Sequence, residues 1–199
     1  MKIIGIAGKI ASGKTTTAYI IAKHSKKPYR ISISDVLRDL LVDNTSLYDT
    51  KISIEWSNKK FERQNLIKFG KIIKDRYGDG ILMQLAIEKG RNLEKKEGYD
   101  TLIVDGVRSL GEVEVLKKEN GTLFYIETDL EIRFKRLKER NDRKDENIKT
   151  LEDMIHFDEI EEQLYKISKI KEKADYVIGN NGTITELERK IVEILSQIQ

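Results

Sequence analysis

Short apolar runs alternate with longer amphipathic stretches along the 199-residue chain. This alternation is typical of βα units around a parallel sheet, because a strand covered on both faces is apolar throughout and a surface helix has one apolar side. The pattern predicts five strands, at Lys2–Ala7, Tyr29–Ile33, Thr101–Asp105, Thr122–Glu127 and Tyr176–Ile178. We therefore predict a three-layer α/β fold with a parallel sheet of about five strands.

Helical periodicity covers most of the remaining chain. The predicted helices are Gly13–Lys23, Asp35–Leu41, Phe61–Arg76, Ile81–Glu94, Leu110–Glu119, Asp129–Arg140, Leu151–Lys171 and Thr183–Ile198. The last helix has a recognisable start, because Thr183 can cap it and Glu186 follows three residues later. Two polar stretches, Asp43–Lys60 and Asn141–Thr150, are predicted to be either lids or binding loops or plain solvated surface.

The string GKIASGKT at Gly8–Thr15 has the spacing of a P-loop, between the first predicted strand and the first predicted helix. In such a loop backbone N–H groups point at phosphate oxygens, and the helix start adds a positive dipole end. Lys14 would then reach the β- and γ-phosphates, and the Thr15 hydroxyl would coordinate Mg²⁺. The residues predicted to hold ATP here are Gly8, Ala11, Ser12, Gly13, Lys14, Thr15 and Thr16.

A P-loop protein needs a second carboxylate near the magnesium ion, at the carboxyl end of a neighbouring buried strand. Asp105 ends the apolar run Thr101–Asp105, and Gly106 follows it. We therefore predict a magnesium site formed by Thr15 and Asp105.

Composition narrows the class of protein. The 37 basic and 34 acidic residues leave a net charge of only +3, so no nucleic-acid partner is expected. The chain has no cysteine, which excludes disulfides and thiolate metal sites. No run approaches the roughly 18–20 apolar residues of a membrane span. We expect a cytoplasmic protein that does not bind membranes, and its oligomeric state, monomer or homodimer, stays open.

A switch GTPase is disfavoured, because Arg108 stands where such proteins have a glycine after the strand aspartate and no Asn-Lys-x-Asp motif is present. Large motor ATPases need further elements for which this chain has no room. The remaining candidates are kinases of small molecules.

Four segments resemble archaeal adenylate-kinase-related proteins and nucleoside monophosphate kinases. They are Ser34–Arg38, Asp105–Ser109 with Glu112 and Glu114, Arg63–Gly80, and Ala174–Ile178 with Asn180–Thr183. The resemblance spans nearly the whole chain and is looser toward dephospho-coenzyme A kinases and deoxynucleoside monophosphate kinases. It implies a single kinase domain over residues 1–199, with an acceptor-binding region at about 35–95 and a lid at about 136–160.

The resemblance also implies roles for individual residues. Arg38 and Arg108 match arginines that bind the acceptor phosphate, and a guanidinium suits that task because it donates two parallel hydrogen bonds. Asp35 would orient the acceptor or accept its proton, although it could equally cap the next helix. Asn181 would lie against the adenine, although its turn could serve only to begin the last helix.

A second basic group, Arg133, Arg136, Arg140 and Arg143, falls on one helical face. It resembles the entry to a lid that brings arginines onto the transferring phosphoryl group, but it could also be a solvated face. Arg140 is predicted to bind ATP and to act in catalysis with Lys14, Arg108 and Asp35. His156-Phe157-Asp158 stands where related proteins have an Arg-Asp pair, so one lid arginine is expected to be missing.

These observations predict transfer of the γ-phosphoryl group of Mg·ATP to a nucleoside or deoxynucleoside monophosphate. A dephospho-coenzyme A kinase is the alternative within the same class. A nucleotide-binding regulator or slow ATPase is the alternative from another class, and only a kinase needs its acceptor to consume ATP.

Overall fold

The computed structural model describes residues 1–42, 63–140 and 148–198. Its elements in chain order are β1 Lys2–Ala7, α1 Lys14–Lys23, β2 Pro28–Ser32, α2 Ile33–Val42, α3 Arg63–Tyr77, α4 Ile81–Glu97, β3 Thr101–Val107, α5 Leu110–Lys118, β4 Thr122–Glu127, α6 Leu130–Glu139, α7 Leu151–Tyr165, α8 Ile167–Glu172, β5 Tyr176–Gly179 and α9 Ile184–Gln197.

The five strands form one parallel sheet in the order β2-β3-β1-β4-β5. The central strands β1 and β3 are paired along their length, from Lys2 opposite Thr101 to Ile6 opposite Asp105. Both are almost entirely buried, which explains why their sequences are apolar throughout rather than alternating. The predicted parallel five-stranded α/β fold is confirmed.

Helices cover both faces of the sheet, and the side chains of β1 alternate between the two layers. Ile4 and Ile6 pack in a cluster with residues of α1 and α9. Ile3 and Ala7 face the opposite cluster, which α2, α3, α4, α5 and α8 complete. The carboxyl ends of all five strands meet at one edge, where open α/β sheets bind their ligands.

The prediction of a single helix over Leu151–Lys171 is wrong. Lys166 has a left-handed backbone, with φ at 50°, and it separates α7 from α8. The carboxylate of Glu162 accepts hydrogen bonds from Ser168 N and Ser168 Oγ at 2.9 and 2.5 Å, which stabilises the break. No glycine or proline marks this position, so the sequence carried no ordinary stop signal.

The predicted start of the last helix is confirmed. Thr183 Oγ1 accepts from Glu186 N at 3.2 Å, and Glu186 Oε2 accepts from Thr183 N at 2.7 Å. The polar stretch Asp43–Lys60 and the arginine Arg143 lie outside the described residues. Among the described helices, none is long and apolar enough to span a membrane.

Candidate active site

The loop between β1 and α1 wraps around the start of α1 with three residues at positive φ. Gly8 and Gly13 have φ angles of 144° and 99°, and Ala11 has 57°. A loop of this kind turns its N–H groups toward one point, which makes a cradle for phosphate. Lys14 Nζ donates to the carbonyl oxygens of Gly8 at 2.8 Å and of Lys9 at 2.7 Å, so its ammonium group lies over the loop.

The hydroxyl and carboxylate predicted to hold magnesium lie side by side. Thr15 Oγ1 donates to Asp105 Oδ2 at 2.8 Å, and Asp105 is buried on β3. Arg30 Nη1 lies 3.9 Å from the same carboxylate oxygen. Among the described residues, no three acidic or imidazole groups converge on one point. Thr15 and Asp105 are therefore the residues that would hold a magnesium ion here, and their oxygen atoms are donors of the kind that Mg²⁺ prefers.

Asp35 closes a reciprocal cap at the start of α2. Its Oδ2 accepts from Ser32 N at 3.0 Å and from Ser32 Oγ at 2.7 Å, while Asp35 N donates back to Ser32 Oγ at 3.0 Å. Arg38 Nη1 donates to Asp35 Oδ1 at 2.8 Å. Burial opposes the charge of Asp35, but the hydrogen bonds from Ser32 and the charge of Arg38 outweigh it and lower the pKa of the carboxyl.

Arg108 is held from two directions. Its backbone N–H donates to Glu112 Oε2 at 2.7 Å, and its Nη1 donates to Glu161 Oε1 at 2.5 Å. Burial opposes its charge, but Glu161 and Tyr165 outweigh that effect and raise the pKa of Arg108. The fully buried Glu112 also pairs with Lys74 Nζ at 2.7 Å, so α3, α5 and α7 all contribute to the orientation of this arginine.

One cleft of about 1400 Å³ connects these groups along the carboxyl edge of the sheet. Its walls include Lys14, Thr15, Asp35, Arg38, Asp105, Arg108 and Arg140 of the predicted site residues, with Ala11, Gly13 and Thr16. The structure thus brings the P-loop, the two side chains predicted to hold magnesium and both predicted acceptor arginines to a single cavity.

Comparison with known proteins identifies the family. A family model described as an AAA domain matches residues 4–156. A UPF0200 protein of Saccharolobus islandicus is 31% identical to the chain, with coverage of 100% of this chain and 94% of the relative. A UPF0200 protein of Sulfurisphaera tokodaii is 32% identical, with coverage of 100% and 98%. The chain belongs to the UPF0200 family and carries the AAA domain.

Three solved structures share the fold of this UPF0200 protein. TT1252 of Thermus thermophilus aligns with a TM-score of 0.64 at 18% identity, covering 100% of this chain and 98% of that one. A dephospho-CoA kinase of Campylobacter jejuni aligns at 0.57 and 20% identity, with coverage of 100% and 98%. A shikimate kinase of Bacteroides thetaiotaomicron aligns at 0.58 and 14% identity, with coverage of 98% of each chain. The fold is therefore that of P-loop kinases.

The UPF0200 chain places its helical arginines in two different environments. Arg136 on α6 and Arg140, the residue that follows α6, line the cleft. Arg133 does not: it is 3% exposed and donates to both carboxylate oxygens of Asp158, at 3.0 and 2.6 Å. Arg133 therefore does not share the cleft with Arg136 and Arg140, because the buried carboxylate of Asp158 on α7 holds its guanidinium.

Two residues of this UPF0200 site were missed by sequence reasoning. Asn180 Nδ2 donates to the Ser12 carbonyl at 2.8 Å, whereas the predicted Asn181 accepts from Asp129 N at 3.0 Å. Arg30 lines the cleft from β2, and its guanidinium lies 4.7 Å from the ring centre of Tyr19. Arg30 carried a weak signal, since a basic residue is unusual in a short strand of a parallel sheet.

Proposed function

We propose that the chain is an ATP-dependent kinase that transfers the γ-phosphoryl group to a nucleoside or deoxynucleoside monophosphate. The observation that carries this proposal is the continuity of the cleft, whose walls include the P-loop together with Arg38 and Arg108. A donor and an acceptor nucleotide can therefore meet without leaving the cavity, which is the geometry that phosphoryl transfer requires.

The charge of the cleft supports an acceptor that bears a phosphate. Nine cationic side chains line it, namely Lys14, Arg30, Arg38, Lys71, Lys74, Arg108, Arg136, Arg140 and Lys166. Six anionic side chains line it, namely Asp35, Asp75, Asp79, Asp105, Glu112 and Glu139. The described part of the cleft thus has an excess of three positive charges, which favours two anionic substrates over one anionic and one neutral substrate.

The state of Asp35 supports a phosphate over a hydroxyl as the attacking group. A hydroxyl acceptor, as in a dephospho-coenzyme A or shikimate kinase reaction, needs a base to take its proton. Both carboxylate oxygens of Asp35 already accept hydrogen bonds, from Ser32 and from Arg38, so a hydroxyl acceptor would have to compete with these donors for them. The phosphate of a nucleoside monophosphate is already ionised and needs no base.

In this proposal the chain works by positioning and charge neutralisation. The P-loop and Lys14 would bind the ATP phosphates, and Thr15 and Asp105 would hold a magnesium ion, which would supply positive charge beside those phosphates. Arg136 and Arg140 neutralise charge on the transferring group. We assign acceptor binding to about residues 35–95 and the lid to about 136–160, within a single domain.

ADP release from Mg·ATP tests the proposal, with AMP, CMP, UMP, GMP, the deoxynucleoside monophosphates, dephospho-coenzyme A and shikimate offered singly. We expect one monophosphate to raise release at least tenfold. Lys14→Ala should abolish that increase, and the matched control Lys169→Ala, which removes an exposed ammonium group on α8, should preserve it. If only dephospho-coenzyme A or shikimate raises ADP release, the acceptor is a hydroxyl compound and not a nucleoside monophosphate. Release that no acceptor raises would contradict the kinase proposal and favour a regulator or slow ATPase.

A further inference from the structure

Arg133 and Asp158 form a buried ion pair behind the P-loop, on the side away from the cleft. The guanidinium of Arg133 on α6 and the carboxylate of Asp158 on α7 are joined by two parallel hydrogen bonds, at 3.0 and 2.6 Å. Asp158 Oδ2 also accepts from Lys9 Nζ at 3.0 Å. The pair therefore links two helices to a residue of the loop itself.

The other donors of Arg133 reach backbone carbonyl groups around the loop. Its Nη1 donates to the Ile10 carbonyl at 3.4 Å, and its Nε donates to the Thr128 carbonyl at 3.0 Å. Thr128 Oγ1 in turn donates to the Ser12 carbonyl at 3.0 Å. Arg133 thus donates directly to the Ile10 carbonyl of the P-loop. It also donates to Thr128, which in turn donates to the Ser12 carbonyl.

The direction of these carbonyl groups matters for phosphate binding. A P-loop binds phosphate because its N–H groups point inward, which requires the carbonyl groups of the same peptides to point outward. A buried carbonyl without a partner costs free energy, so outward peptides need donors behind the loop. Arg133 and Thr128 supply such donors at Ile10 and Ser12.

We infer that Arg133, held in place by Asp158, is a positioning residue that fixes the nucleotide-binding conformation of the P-loop from behind. This inference rests on the proposed nucleotide site. It differs from the role predicted for the lid arginines, because Arg133 reaches the nucleotide only through the loop backbone. It also differs from a purely stabilising role, since buried ion pairs can often be replaced by apolar side chains without loss of stability.

That difference provides the test. In Arg133→Met with Asp158→Leu, an apolar contact replaces the ion pair, so we expect the Tm to stay within about 4 °C of wild type. The Ile10 and Thr128 carbonyls lose their donor, so the Kd for Mg·ATP measured by calorimetric titration should rise at least tenfold. Arg133→Lys tests the same point if the double variant does not fold. It keeps a charge beside Asp158 and Lys9 but lacks the planar fork that reaches both carbonyls, so it should also weaken Mg·ATP binding.

Ile87→Ala is the control for stability alone. Ile87 is buried on α4 in the core cluster on the other face of the sheet from α1 and α9, and its truncation should lower the Tm while leaving the Kd for Mg·ATP unchanged. Unchanged Mg·ATP affinity in a folded Arg133 variant would overturn the inference alone. An equal loss of Mg·ATP affinity in Ile87→Ala would also overturn it, because the loss of affinity would then be a consequence of lower stability in general. A wild-type chain that does not bind Mg·ATP would overturn the proposed function as well.

Discussion

Gly13, the last residue of the P-loop before α1, lies directly against the side chain of Asn180. A Cβ at position 13 would come 2.3 Å from Asn180 Nδ2, the atom that donates to the Ser12 carbonyl. The φ of Gly13 is 99°, a conformation that side chains other than glycine rarely adopt. Gly13→Ala therefore has two costs: a strained backbone and the displacement of a buried amide that holds the loop.

The two costs can be estimated separately. A left-handed alanine costs about 1–2 kcal/mol, and a lost hydrogen bond to the Ser12 carbonyl costs about 0.5–1.5 kcal/mol. The sum is about 1.5–3.5 kcal/mol of unfolding free energy, or about 3–14 °C in Tm for a chain of this size. Gly98 provides a matched control, since its φ is 73° and a Cβ added there would have no atom within 4 Å. Gly98→Ala should have only the cost of the strained backbone, about 1–2 kcal/mol of unfolding free energy.

Urea unfolding of Gly13→Ala, Gly98→Ala, Asn180→Ala and the double variant Gly13→Ala/Asn180→Ala separates these effects. Asn180→Ala should lower the free energy of unfolding less in the Gly13→Ala variant than in the wild type. The reason is that the Asn180 amide is already displaced in Gly13→Ala. Calorimetric titration should show Mg·ATP affinity reduced at least tenfold in Gly13→Ala and unchanged in Gly98→Ala.

Two results would refute this reasoning. Equal destabilisation by the two glycine substitutions would show that the contact with Asn180 contributes nothing. Additive effects of Gly13→Ala and Asn180→Ala would show that the two residues do not act together on the Ser12 carbonyl.

Three further predictions concern stability. Glu112→Leu should cost about 3–5 kcal/mol in urea unfolding, because the half-buried Lys74 loses its partner at 2.7 Å and keeps only Asp79 at 3.8 Å, and the Arg108 N–H loses its acceptor. The addition of Lys74→Met should recover part of the loss, and no recovery would contradict the role of the ion pair. Thr183→Ala should cost about 1 kcal/mol through loss of the helix cap, measured as a Tm about 2–4 °C lower, and an unchanged Tm would contradict it. Burial raises the pKa of Tyr125 to about 12 from 10.0, so its neutral form contributes stability that is complete below pH 10 and is lost between pH 10 and 12. Tyr125→Phe should lose less Tm over that range than the wild type, and equal slopes would contradict the shift.

The fold was predictable because its signals are local. Strands covered on both faces are apolar runs, and the P-loop string fixes the first strand, the loop and the first helix in one short segment. The meeting of Thr15 with Asp105 also followed from a general rule, since parallel strands place their carboxyl ends at one edge. Ninety residues separate the two side chains, yet Asp105 needed only its position near the carboxyl end of β3, and Thr15 needed only its place in the P-loop motif.

The environments of the arginines were not predictable because their partners are remote and unmarked. Arg133 and Arg136 fall on one predicted helical face, but Arg133 pairs with Asp158 and Arg136 lines the cleft. Arg108 is oriented by Glu161, which lies 53 residues further along the chain. Helical spacing specifies which side chains are neighbours on one helix. Whether such a side chain is buried or exposed depends on the residues of the neighbouring helix that packs against it.

The pairing of the two proposed acceptor arginines has a consequence for selectivity. Arg38 with Asp35, and Arg108 with Glu161, are each neutral as a pair. These two pairs would therefore offer an acceptor phosphate little net charge, and its recognition by them would depend on the directions of the remaining guanidinium N–H groups. The excess positive charge of the cleft comes from the other cationic side chains that line it. Because the carboxylates hold these side chains before binding, less rotamer freedom is lost when the phosphate arrives. Lysine at either position would keep the charge but lose the planar array of donors, so acceptor selectivity in this site rests on geometry rather than on electrostatic attraction alone.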